Sequence, residues 1–374
     1  MSTVTFPAAW ERMNVALAHD WLTGMRGGER VLEWLCRGFP RAPIFTLIHN
    51  PAAISATINA HPIRTSFLQG VPGIHRRYRW FLPVHPLAVS ALPKPEADVL
   101  ISTSHCVAKG LRARPGAKHL CYCFTPMRYA WLFHDEYLGH NPCKRLLAAP
   151  VLAGLRRWDR ANSARVDRFV TLSQHVRERI QRFYGRDADV VYPPVDADFF
   201  TPGTSEAHGG YDLIVSALVP YKRLDLAVRV YTQLGWPLKI AGTGTEFDAL
   251  KKIAGPNIEF LGWQSDEQLR ELYRGCRMLV FPGEEDFGIV PLEAQACGRP
   301  VVAFARGGAL ETIVADETGV FFAEQTETAL RTALQLAAAQ NWSRAAIRRQ
   351  AERFTPQHFI NGLAASLEKC LAGA

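Results

Sequence analysis

The stretch GEEDFGIVPLEAQACG, residues 283–298, places two glutamates, Glu285 and Glu293, around an apolar run. The pattern predicts a helix over residues 289–296, with Glu285 in the preceding loop and Glu293 about one turn into the helix. A helical path between the two would span about 12 Å, beyond the roughly 5–9.5 Å that separates glycosidase carboxylates. We therefore interpret the pair as two carboxylates that hold hydroxyl groups on different parts of one extended ligand.

Apolar runs that resemble strands alternate with helical patterns on both sides of this stretch. Examples are MNVALAHDWL before GGERVLEWLCRGF, and PLKIAGTG before EFDALKKI. Near-continuous apolar strands between helices are typical of parallel sheets covered on both faces. The Pro-rich segment VVYPPVDADFFTPG, residues 190–203, has the composition of a linker. We expect an α/β fold with two doubly wound parallel-sheet domains, over residues 1–190 and 191–354, and a C-terminal helix over 355–374 that packs back on the first.

Composition indicates a packed globular protein. The chain has 374 residues, of which 48% are hydrophobic and 21% charged, and no apolar run reaches the roughly 18 residues of a membrane span. The start lacks a basic segment followed by a long apolar core, so we expect no secretory signal and a cytoplasmic protein. The eight cysteines show no CxxC pair and the 12 histidines no ligand spacing, so we predict buried, reduced thiols and no metal site.

The positive charge is concentrated in the first half of the chain. Residues 1–190 hold 26 Lys and Arg against 13 Asp and Glu, a net charge of +13, whereas residues 191–374 hold 17 against 22, a net charge of −5. This asymmetry predicts that the first half faces something anionic, either a nucleic acid or an anionic membrane surface, or that it is a solvated basic surface without a partner. No nucleic-acid recognition motif accompanies the charge, so we predict no nucleic-acid partner.

Glycines follow several of the predicted strands. Such turns place backbone N–H groups at the start of a helix, where they favour phosphate, although a strand-to-helix turn also needs glycine for its geometry alone. Four of these turns in one chain favour phosphate and sugar binding, with the candidates Gly27, Gly28, Gly242, Gly244, Gly288, Gly307 and Gly308.

A nicotinamide-dependent dehydrogenase is the alternative from another enzyme class. GTGTEF, residues 242–247, is the nearest approach to its glycine fingerprint, but Phe247 stands where the third glycine belongs. The motif also lies in the second half of the chain and not after the first strand. We therefore favour a transferase.

The stretch EEDFGIVPLEAQACGRPVVA resembles the E-x7-E signature of retaining GT-B glycosyltransferases. The similarity continues through SALVPYKRLDLAV, IAGTG, FLGWQSDEQLRELYRGC, FARGGALETI, YPPVD and CYCFTPMRYAW, and so covers nearly the whole chain. Within these enzymes the chain is most similar to bacterial polysaccharide and O-antigen mannosyltransferases of the WbaZ type. The resemblance implies two Rossmann-like domains that face each other across a cleft, the first binding the acceptor and the second the nucleotide sugar.

The resemblance also implies a role for individual residues. Glu293 would hold the ribose hydroxyls, Glu285 the hydroxyls of the transferred hexose, and Lys222 the leaving diphosphate, while Gly27 and Gly28 would contact phosphate or acceptor. Backbone amides would meet the sugar and the pyrophosphate, namely those of Phe287, Gly288, Ile289 and Val290. Such enzymes need no metal or other cofactor, because a lysine and helix N-termini neutralise the diphosphate.

Two positions depart from the family pattern. The arginine that often lies five residues before the lysine is Ala217 here, and Arg223 is a possible substitute. The strand-end histidine expected in CYCFTP is Phe124, and His105 in STSHCVAKG is the nearby candidate for its role. Arg128 in PMRYAW is a candidate for the acceptor's phosphate, with a surface arginine as the alternative.

The resemblance implies transfer of a hexose with retention, mannose from GDP-mannose, onto a lipid-linked precursor in polysaccharide, O-antigen or exopolysaccharide biosynthesis. The segment GVPGIHRRYRWFLPVHPLAV, residues 70–89, mixes basic and aromatic residues and suits either an anionic lipid surface or a packed helix with a basic edge. We therefore expect a peripheral place on the inner face of the cytoplasmic membrane. The alternatives are a UDP- or ADP-sugar with a soluble acceptor, and a non-catalytic sugar-nucleotide binder.

Overall fold

The computed structural model describes residues 4–132, 142–204 and 209–373, and the side chains of all of these except 142–145. The described chain forms two compact units. The N-terminal unit holds Val4–Tyr192 together with the C-terminal segment from Phe359, and the C-terminal unit holds Pro193–His358. The division falls close to the boundary predicted after residue 190.

The N-terminal unit is built on a sheet in which every described strand pairs in parallel, in the order β3-β2-β1-β4-β5-β6-β7. The strands are β1 Val15–His19, β2 Ile44–Thr46, β3 Ile63–Thr65, β4 Val99–Ser104, β5 Lys118–Cys123, β6 Arg168–Thr171 and β7 Ala188–Val190. The α-helices described in this half are α1 Gly27–Gly38, α2 Ala56–Asn59, α3 Ile74–Arg77, α4 His85–Ser90, α5 Arg128–Trp131, α6 Pro142–Ser163 and α7 Gln174–Tyr184.

The C-terminal unit repeats the architecture, with the parallel strand order β10-β9-β8-β11-β12-β13. Its strands are β8 Tyr211–Val215, β9 Leu238–Ala241, β10 Ile258–Gly262, β11 Cys276–Phe281, β12 Val301–Phe304 and β13 Gly319–Phe322. The α-helices that follow the first of these strands are α8 Leu224–Leu234, α9 Phe247–Ile253, α10 Asp266–Gly275, α11 Ile289–Ala296, α12 Ala309–Thr312, α13 Glu327–Ala339, α14 Arg344–Ala351 and α15 Pro356–Ala372.

The α/β fold with two doubly wound parallel sheets is confirmed. All five residues of β1 and all six of β4 are buried, as expected of strands covered by helices on both faces. The strand order reverses between β1 and β4 in one sheet and between β8 and β11 in the other. In open α/β sheets ligands bind at the carboxyl ends of the strands at such a reversal, so these two edges are the places to look for a site.

The start of α1 shows how the sequence positions one of these edges. Helix α1 begins at Gly27, where the Glu29 side chain accepts a hydrogen bond from the Arg26 backbone N–H at 3.2 Å and closes a capping box. The helix buries the apolar face that includes Val31, Leu32 and Leu35. Burying each of these side chains stabilises the fold by roughly 1.5–3 kcal/mol.

The C-terminal helix α15 packs on the β5–β7 side of the N-terminal sheet from Phe359 onward. The rings of Phe359 and Tyr122 lie 5.9 Å apart between centroids, and Lys369 Nζ lies 3.7 Å from Asp189 Oδ1. A Cβ placed on Gly362 would come within 3.0 Å of Val191, so the absence of a side chain there lets the helix approach the strand end closely.

The described cysteines are all buried and unpaired, as predicted, and Cys143 lies outside the described side chains. Cys121 and Cys123 are both fully buried on β5, so the CYC sequence contributes to the core. Of the helices in the described ranges, none combines the length and hydrophobicity that crossing a bilayer requires.

Buried His119 makes the stability of the N-terminal unit depend on pH. It lies on β5 with Nε2 2.8 Å from Ser102 Oγ, and burial lowers the pKa of His119 from 6.5 to about 4. Below pH 6.5 the unfolded chain binds a proton at this residue that the folded chain does not, so the free energy of unfolding falls as the pH drops toward 4. The loss is about 1.4 kcal/mol per pH unit, or about 2 kcal/mol between pH 6.5 and pH 5.

The substitution His119→Gln keeps an amide near the Nε2 position and removes the titration. We expect the free energy of unfolding, measured by urea titration, to fall about 2 kcal/mol less between pH 7 and pH 5 in this variant than in the wild type. Exposed His358, which hydrogen-bonds Thr355 on the surface at 2.9 Å, supplies the control His358→Gln, which should follow the wild type. An unchanged pH dependence in His119→Gln would contradict the assignment.

Candidate functional site

Lys222 and Glu285 meet at the strand-order reversal of the C-terminal unit. Lys222 ends a short 3-10 helix, Pro220–Lys222, after β8, and Glu285 lies in the loop after β11. Lys222 Nζ forms an ion pair with Glu285 Oε1, and the two side chains are 13% and 23% exposed. A Cβ on Gly283 would lie 2.8 Å from Lys222 Cα, so the two loops approach at the level of the backbone. The structure therefore brings together two residues that are 63 positions apart in the sequence.

Helix α11 begins four residues after Glu285 in the sequence. The predicted helix over residues 289–296 is confirmed, and Gly288 precedes it with a left-handed φ of 96°, a conformation that favours glycine. No side chain caps the helix, and Pro291 in its first turn has no N–H. The Ile289 and Val290 amides lie in that first turn, where N–H groups have no partner within the helix and favour an anion.

Glu293 is on the second turn of α11 and is only 9% exposed. Its Oε2 accepts a hydrogen bond of 2.7 Å from the hydroxyl of Tyr273. Tyr273 lies near the end of α10 and is fully buried. Burial, and after it the charge of Glu293, raises the pKa of Tyr273 well above its usual value, so the hydroxyl stays protonated and continues to donate. Tyr273 therefore orients the second glutamate of the predicted pair.

The turn at Gly307 and Gly308 supports the loop that carries Glu285. Gly308 N donates to Glu285 O at 2.8 Å, and a Cβ on Gly308 would overlap the backbone of Phe287. Gly307 has a φ of 67° and forms a parallel bridge with Glu285. The close backbone packing explains why glycine occupies both positions, and turn geometry was the alternative to phosphate binding in the sequence analysis. Contact of Gly307 and Gly308 with a ligand stays a prediction.

Gly242 and Gly244, which follow β9, also pack directly against the backbone of a neighbouring segment. Gly242 N donates to Gly262 O at 2.7 Å, and a Cβ on Gly242 would overlap Ser216 O. A Cβ on Gly244 would overlap the backbone of Leu218. This loop therefore packs on the segment that leads to Lys222, and contact of these glycines with a ligand stays a prediction.

Arg223 adopts a left-handed φ of 53°, and its side chain contacts residues other than Glu285. Its Nε lies 3.2 Å from Asp225 Oδ1 and its Nη1 3.0 Å from Gln325 Oε1. Gln325 in turn donates to Pro282 O at 2.9 Å, which connects Arg223 to the loop of Glu285 through one side chain. A direct catalytic role for Arg223 stays a prediction.

The strand-order reversal of the N-terminal unit gathers two histidine–carboxylate pairs. His19 ends β1, with Nδ1 2.7 Å from Thr103 Oγ1 and Nε2 3.8 Å from Glu29 Oε1. Burial alone raises the pKa of Glu29, but the nearby His19 imidazole outweighs burial and lowers the pKa. A Cβ on Gly28 would lie 3.2 Å from the Phe124 ring and 3.5 Å from His19, whereas one on Gly27 would meet no described atom within 4 Å.

The second pair is formed by Asp20 and His105. His105 Nδ1 lies 3.0 Å from Asp20 Oδ2. Four backbone N–H groups also donate to the fully buried Asp20 carboxylate at 2.6–3.0 Å, those of His105, Cys106, Val107 and Ala108. Burial raises the pKa of Asp20, but the pairing with His105 outweighs burial and lowers the pKa well below the usual range. His105 is thus fixed to the edge where β1 and β4 lie side by side.

Arg128 begins α5 and is half-buried.

The sequence analysis did not single out Asp20, His19, Glu29 or Tyr273. Asp20 carried a readable signal, since a polar pair directly follows the first apolar strand in ALAHD. Tyr273 carried none, because nothing in ELYRGC distinguishes it from a core aromatic residue. In the described ranges no three His, Cys, Asp or Glu side chains cluster in a way that could hold a metal ion.

The chemistry available at the two edges differs. The C-terminal edge offers an ammonium, a helix N-terminus and two carboxylates, which suit a phosphate and several hydroxyls. The N-terminal edge offers an imidazole fixed to a buried carboxylate. Neither edge, in the described part of the chain, presents a serine or cysteine nucleophile next to a base.

Comparison with known proteins points to one kind of enzyme. Two family models match the chain, "Glycosyltransferase Family 4" over residues 25–199 and "Glycosyl transferases group 1" over residues 209–354. A D-inositol 3-phosphate glycosyltransferase of Mycobacteroides abscessus is 33% identical over 192 residues, which is 45% of this chain and 43% of that protein. The chain spans about half or less of the length of the first curated relatives that it matches.

Solved structures share the fold over almost the whole chain. A sucrose-phosphate synthase of Thermosynechococcus elongatus superposes with a TM-score of 0.73 at 17% identity, covering 96% of this chain and 100% of that one. Anabaena HepE in complex with UDP and glucose gives a TM-score of 0.67 at 17% identity, covering 95% and 99%. With the two family models and the paired parallel sheets, this places the chain among the GT-B glycosyltransferases of the group 1 and family 4 type.

Proposed function

We propose that the protein is a retaining, metal-independent hexosyltransferase that moves a sugar from a nucleotide donor onto a lipid-linked saccharide. The observation that carries the proposal is the ion pair of Lys222 with Glu285, which lies four residues before the start of α11. An ammonium, a carboxylate and unpaired helix amides in one place match the three parts of a nucleotide sugar that need recognition, the diphosphate, the hexose hydroxyls and the connecting oxygens.

In this proposal the donor rearranges the Lys222–Glu285 pair. The diphosphate takes the ammonium of Lys222 and the amides of Ile289 and Val290, and Glu285 then accepts hydrogen bonds from the hexose. Glu293, held by Tyr273, binds the ribose hydroxyls. The protein contributes position and electrostatic stabilisation of the leaving group, which are large terms in enzymes that lack a covalent intermediate.

The proposed transfer proceeds on one face of the sugar. The bond from the anomeric carbon to the diphosphate oxygen breaks, and its electron pair stays on that oxygen. The acceptor hydroxyl forms the new bond from the same face and passes its proton to the departing oxygen. This course needs no side-chain nucleophile, in keeping with the residues at the two edges.

We propose GDP-mannose as the donor, on the resemblance of the sequence to mannosyltransferases of polysaccharide biosynthesis. A UDP-sugar is the second candidate, because the structural neighbour HepE is described with UDP and glucose. A thermal-shift panel of nucleotides and nucleotide sugars tests both. A ligand at 100 times its Kd stabilises the folded state by about 2.7 kcal/mol, so the preferred donor should give the largest rise in Tm.

GDP and GDP-mannose should shift the Tm most, and a larger shift with UDP-sugars would replace the donor assignment. Release of the nucleoside diphosphate from the preferred donor then separates an enzyme from a sugar-nucleotide binder. A chain that binds a donor and releases none of its diphosphate, with or without acceptor, would overturn the transferase.

For the acceptor we propose a lipid-linked saccharide at the surface of an anionic membrane, on the inner face of the cytoplasmic membrane. The N-terminal unit exposes three arginines close together in the sequence, Arg76, Arg77 and Arg79, and several large apolar side chains. Arg77 stacks over the Trp80 ring at 5.7 Å, and Trp80 is 78% exposed. The other large apolar side chains that are exposed in the described part of this unit are Phe67, Leu87, Leu146, Leu147, Val151 and Leu371. Apolar side chains beside basic ones are typical of helices that lie in a lipid interface.

The substitution Trp80→Ser should weaken binding to anionic vesicles about tenfold, because burying a large apolar side chain is worth roughly 1.5–3 kcal/mol. Co-sedimentation with phosphatidylcholine vesicles, with and without phosphatidylglycerol, measures the effect at low salt. Trp263→Ser is the matched control, because Trp263 is equally exposed, at 75%, but belongs to the C-terminal unit. Equal losses in both variants, or no binding by the wild type, would contradict the membrane assignment.

A further inference from the structure

The ring of His105 is held from several sides. Its Nδ1 lies 3.0 Å from the buried Asp20 carboxylate, and the edge of the Trp21 ring system meets it at 89° with centroids 4.6 Å apart. The backbone of the loop that carries His105 is anchored to the same carboxylate through four N–H groups. Ring and backbone therefore share one anchor, and the imidazole has little freedom to turn.

This anchoring determines which nitrogen carries the proton. An ionised carboxylate accepts hydrogen bonds and donates none, and five donors surround Asp20. Nδ1 of a neutral His105 is therefore the protonated nitrogen, which leaves the lone pair on Nε2. The His105 side chain is 27% exposed, and no described residue makes a hydrogen bond to Nε2.

A lone pair on Nε2 selects its ligand by chemistry. It accepts a hydrogen bond from a hydroxyl group, whereas an ionised phosphate oxygen is also an acceptor and has no proton to offer. The exposed edge of the ring is thus suited to a sugar hydroxyl and not to a diphosphate. This separates His105 from the phosphate chemistry at Lys222.

We propose that His105 binds a hydroxyl group of the acceptor through Nε2, and that Asp20 is the positioning residue that fixes the ring and its tautomer. The proposal rests on the glycosyltransferase function proposed above. The hydroxyl that His105 binds is a neighbour of the one that attacks, so the proton of the attacking hydroxyl is left for the departing phosphate oxygen.

Two substitutions separate the two ring nitrogens. In His105→Asn the amide nitrogen lies near the former Nδ1 and can still donate to Asp20, but nothing replaces Nε2. In His105→Gln the amide reaches the former Nε2 position and the link to Asp20 is lost. The readout is transfer of the sugar to octyl α-D-mannopyranoside, a water-soluble acceptor, from the nucleotide sugar that gives the largest shift in the thermal panel. Hydrolysis of the same donor, in which water takes the place of the acceptor, is the comparison.

We expect transfer to be fastest in the wild type, slower in His105→Gln and slowest in His105→Asn. Hydrolysis should be similar in all three, because water brings no neighbouring hydroxyl group to Nε2. Loss of one productive hydrogen bond, of order 1.4 kcal/mol, lowers kcat about tenfold in His105→Asn. The KM for the donor and the Tm should both stay close to wild type in that variant. If His105 serves only to hold the loop, the order reverses, with His105→Asn near wild type and His105→Gln damaged, and the proposal is overturned.

The role of Asp20 is tested by adding Asp20→Asn to each background. It should lower kcat more in the wild type than in His105→Gln, where no imidazole is left to position. Equal losses in both backgrounds would overturn the positioning role. The wild-type chain gives a further test that needs no variant, since its 15N-histidine spectrum should show His105 protonated at Nδ1. Protonation at Nε2 would overturn the proposal.

The outcomes also distinguish this inference from the proposed function. A wild type that neither hydrolyses nor transfers any sugar of the panel would overturn the function and the inference together. An active wild type with a fully active His105→Asn variant would overturn only the inference.

Discussion

Replacing Lys222 with alanine should lower kcat about 10²–10³-fold, which corresponds to about 2.7–4 kcal/mol of lost transition-state stabilisation. Lys222 is the ammonium that pairs with Glu285, four residues before α11, and it is only 13% exposed, so its charge acts with little screening by water. The measurement is release of nucleoside diphosphate from the preferred donor under saturation. The effect should appear in kcat, because charge accumulates on the leaving oxygen mainly in the transition state.

The control for this prediction is Lys239→Ala. Lys239 also pairs with a glutamate, Glu259, at 3.2 Å, but it lies on β9 and its side chain is 32% exposed. This variant should keep kcat within about twofold of the wild type, because exposed pairs of this kind contribute little. If Lys222→Ala also stays near the wild type, Lys222 has no part in the mechanism.

Replacing Lys109 with methionine should lower the free energy of unfolding by about 3–5 kcal/mol, because it leaves the buried charge of Asp159 without its partner. Lys109 Nζ lies 2.6 Å from Asp159 Oδ1 and donates to Cys106 O at 2.7 Å, and both charged side chains are inaccessible to solvent. Burial alone lowers the pKa of Lys109, but the charge of Asp159 outweighs it and raises the pKa. Urea titration, followed by the fluorescence of tryptophan, measures the loss.

The double variant Lys109→Met/Asp159→Asn removes both charges and is the control. Asp159 Oδ2 also accepts hydrogen bonds from Trp131 Nε1 at 2.8 Å and from the Tyr184 hydroxyl at 2.7 Å, and an asparagine oxygen can still accept them. The double variant should therefore regain a large part of the lost stability. A double variant as unstable as the sum of its single changes would show that the charge pair is not the cause.

The repeating features of the fold could be predicted from the sequence. The extent of α1 and the bounds of α11 follow from apolar periodicity and from the glycines at the turns. Such features are local, since a few neighbouring residues determine them. The two glutamates of the opening stretch and Lys222 were recognised as a set by resemblance, and the structure brings Lys222 and Glu285 into contact.

The residues that support the site could not be predicted in the same way. Tyr273 reaches Glu293 across 20 positions of sequence, and Asp20 reaches the backbone of residues 105–108. Each contact depends on which strands become neighbours, and no single segment of the sequence determines the order of the strands. Gly307 and Gly308 illustrate the same limit. A side chain at either position would overlap the backbone of residues 285–287, and this contact cannot be inferred from the sequence around the glycines.

The close seating of the 307–308 turn on the loop of Glu285 has a consequence for redesign. Gly308 N donates to Glu285 O and no side chain fits between the two segments, so a change in the path of one loop displaces the other. A protein engineer who lengthens or shortens either loop to accommodate a different sugar must remodel both together. Exchange of the whole pair of loops between relatives is therefore a safer route to a new donor preference than point changes in one of them.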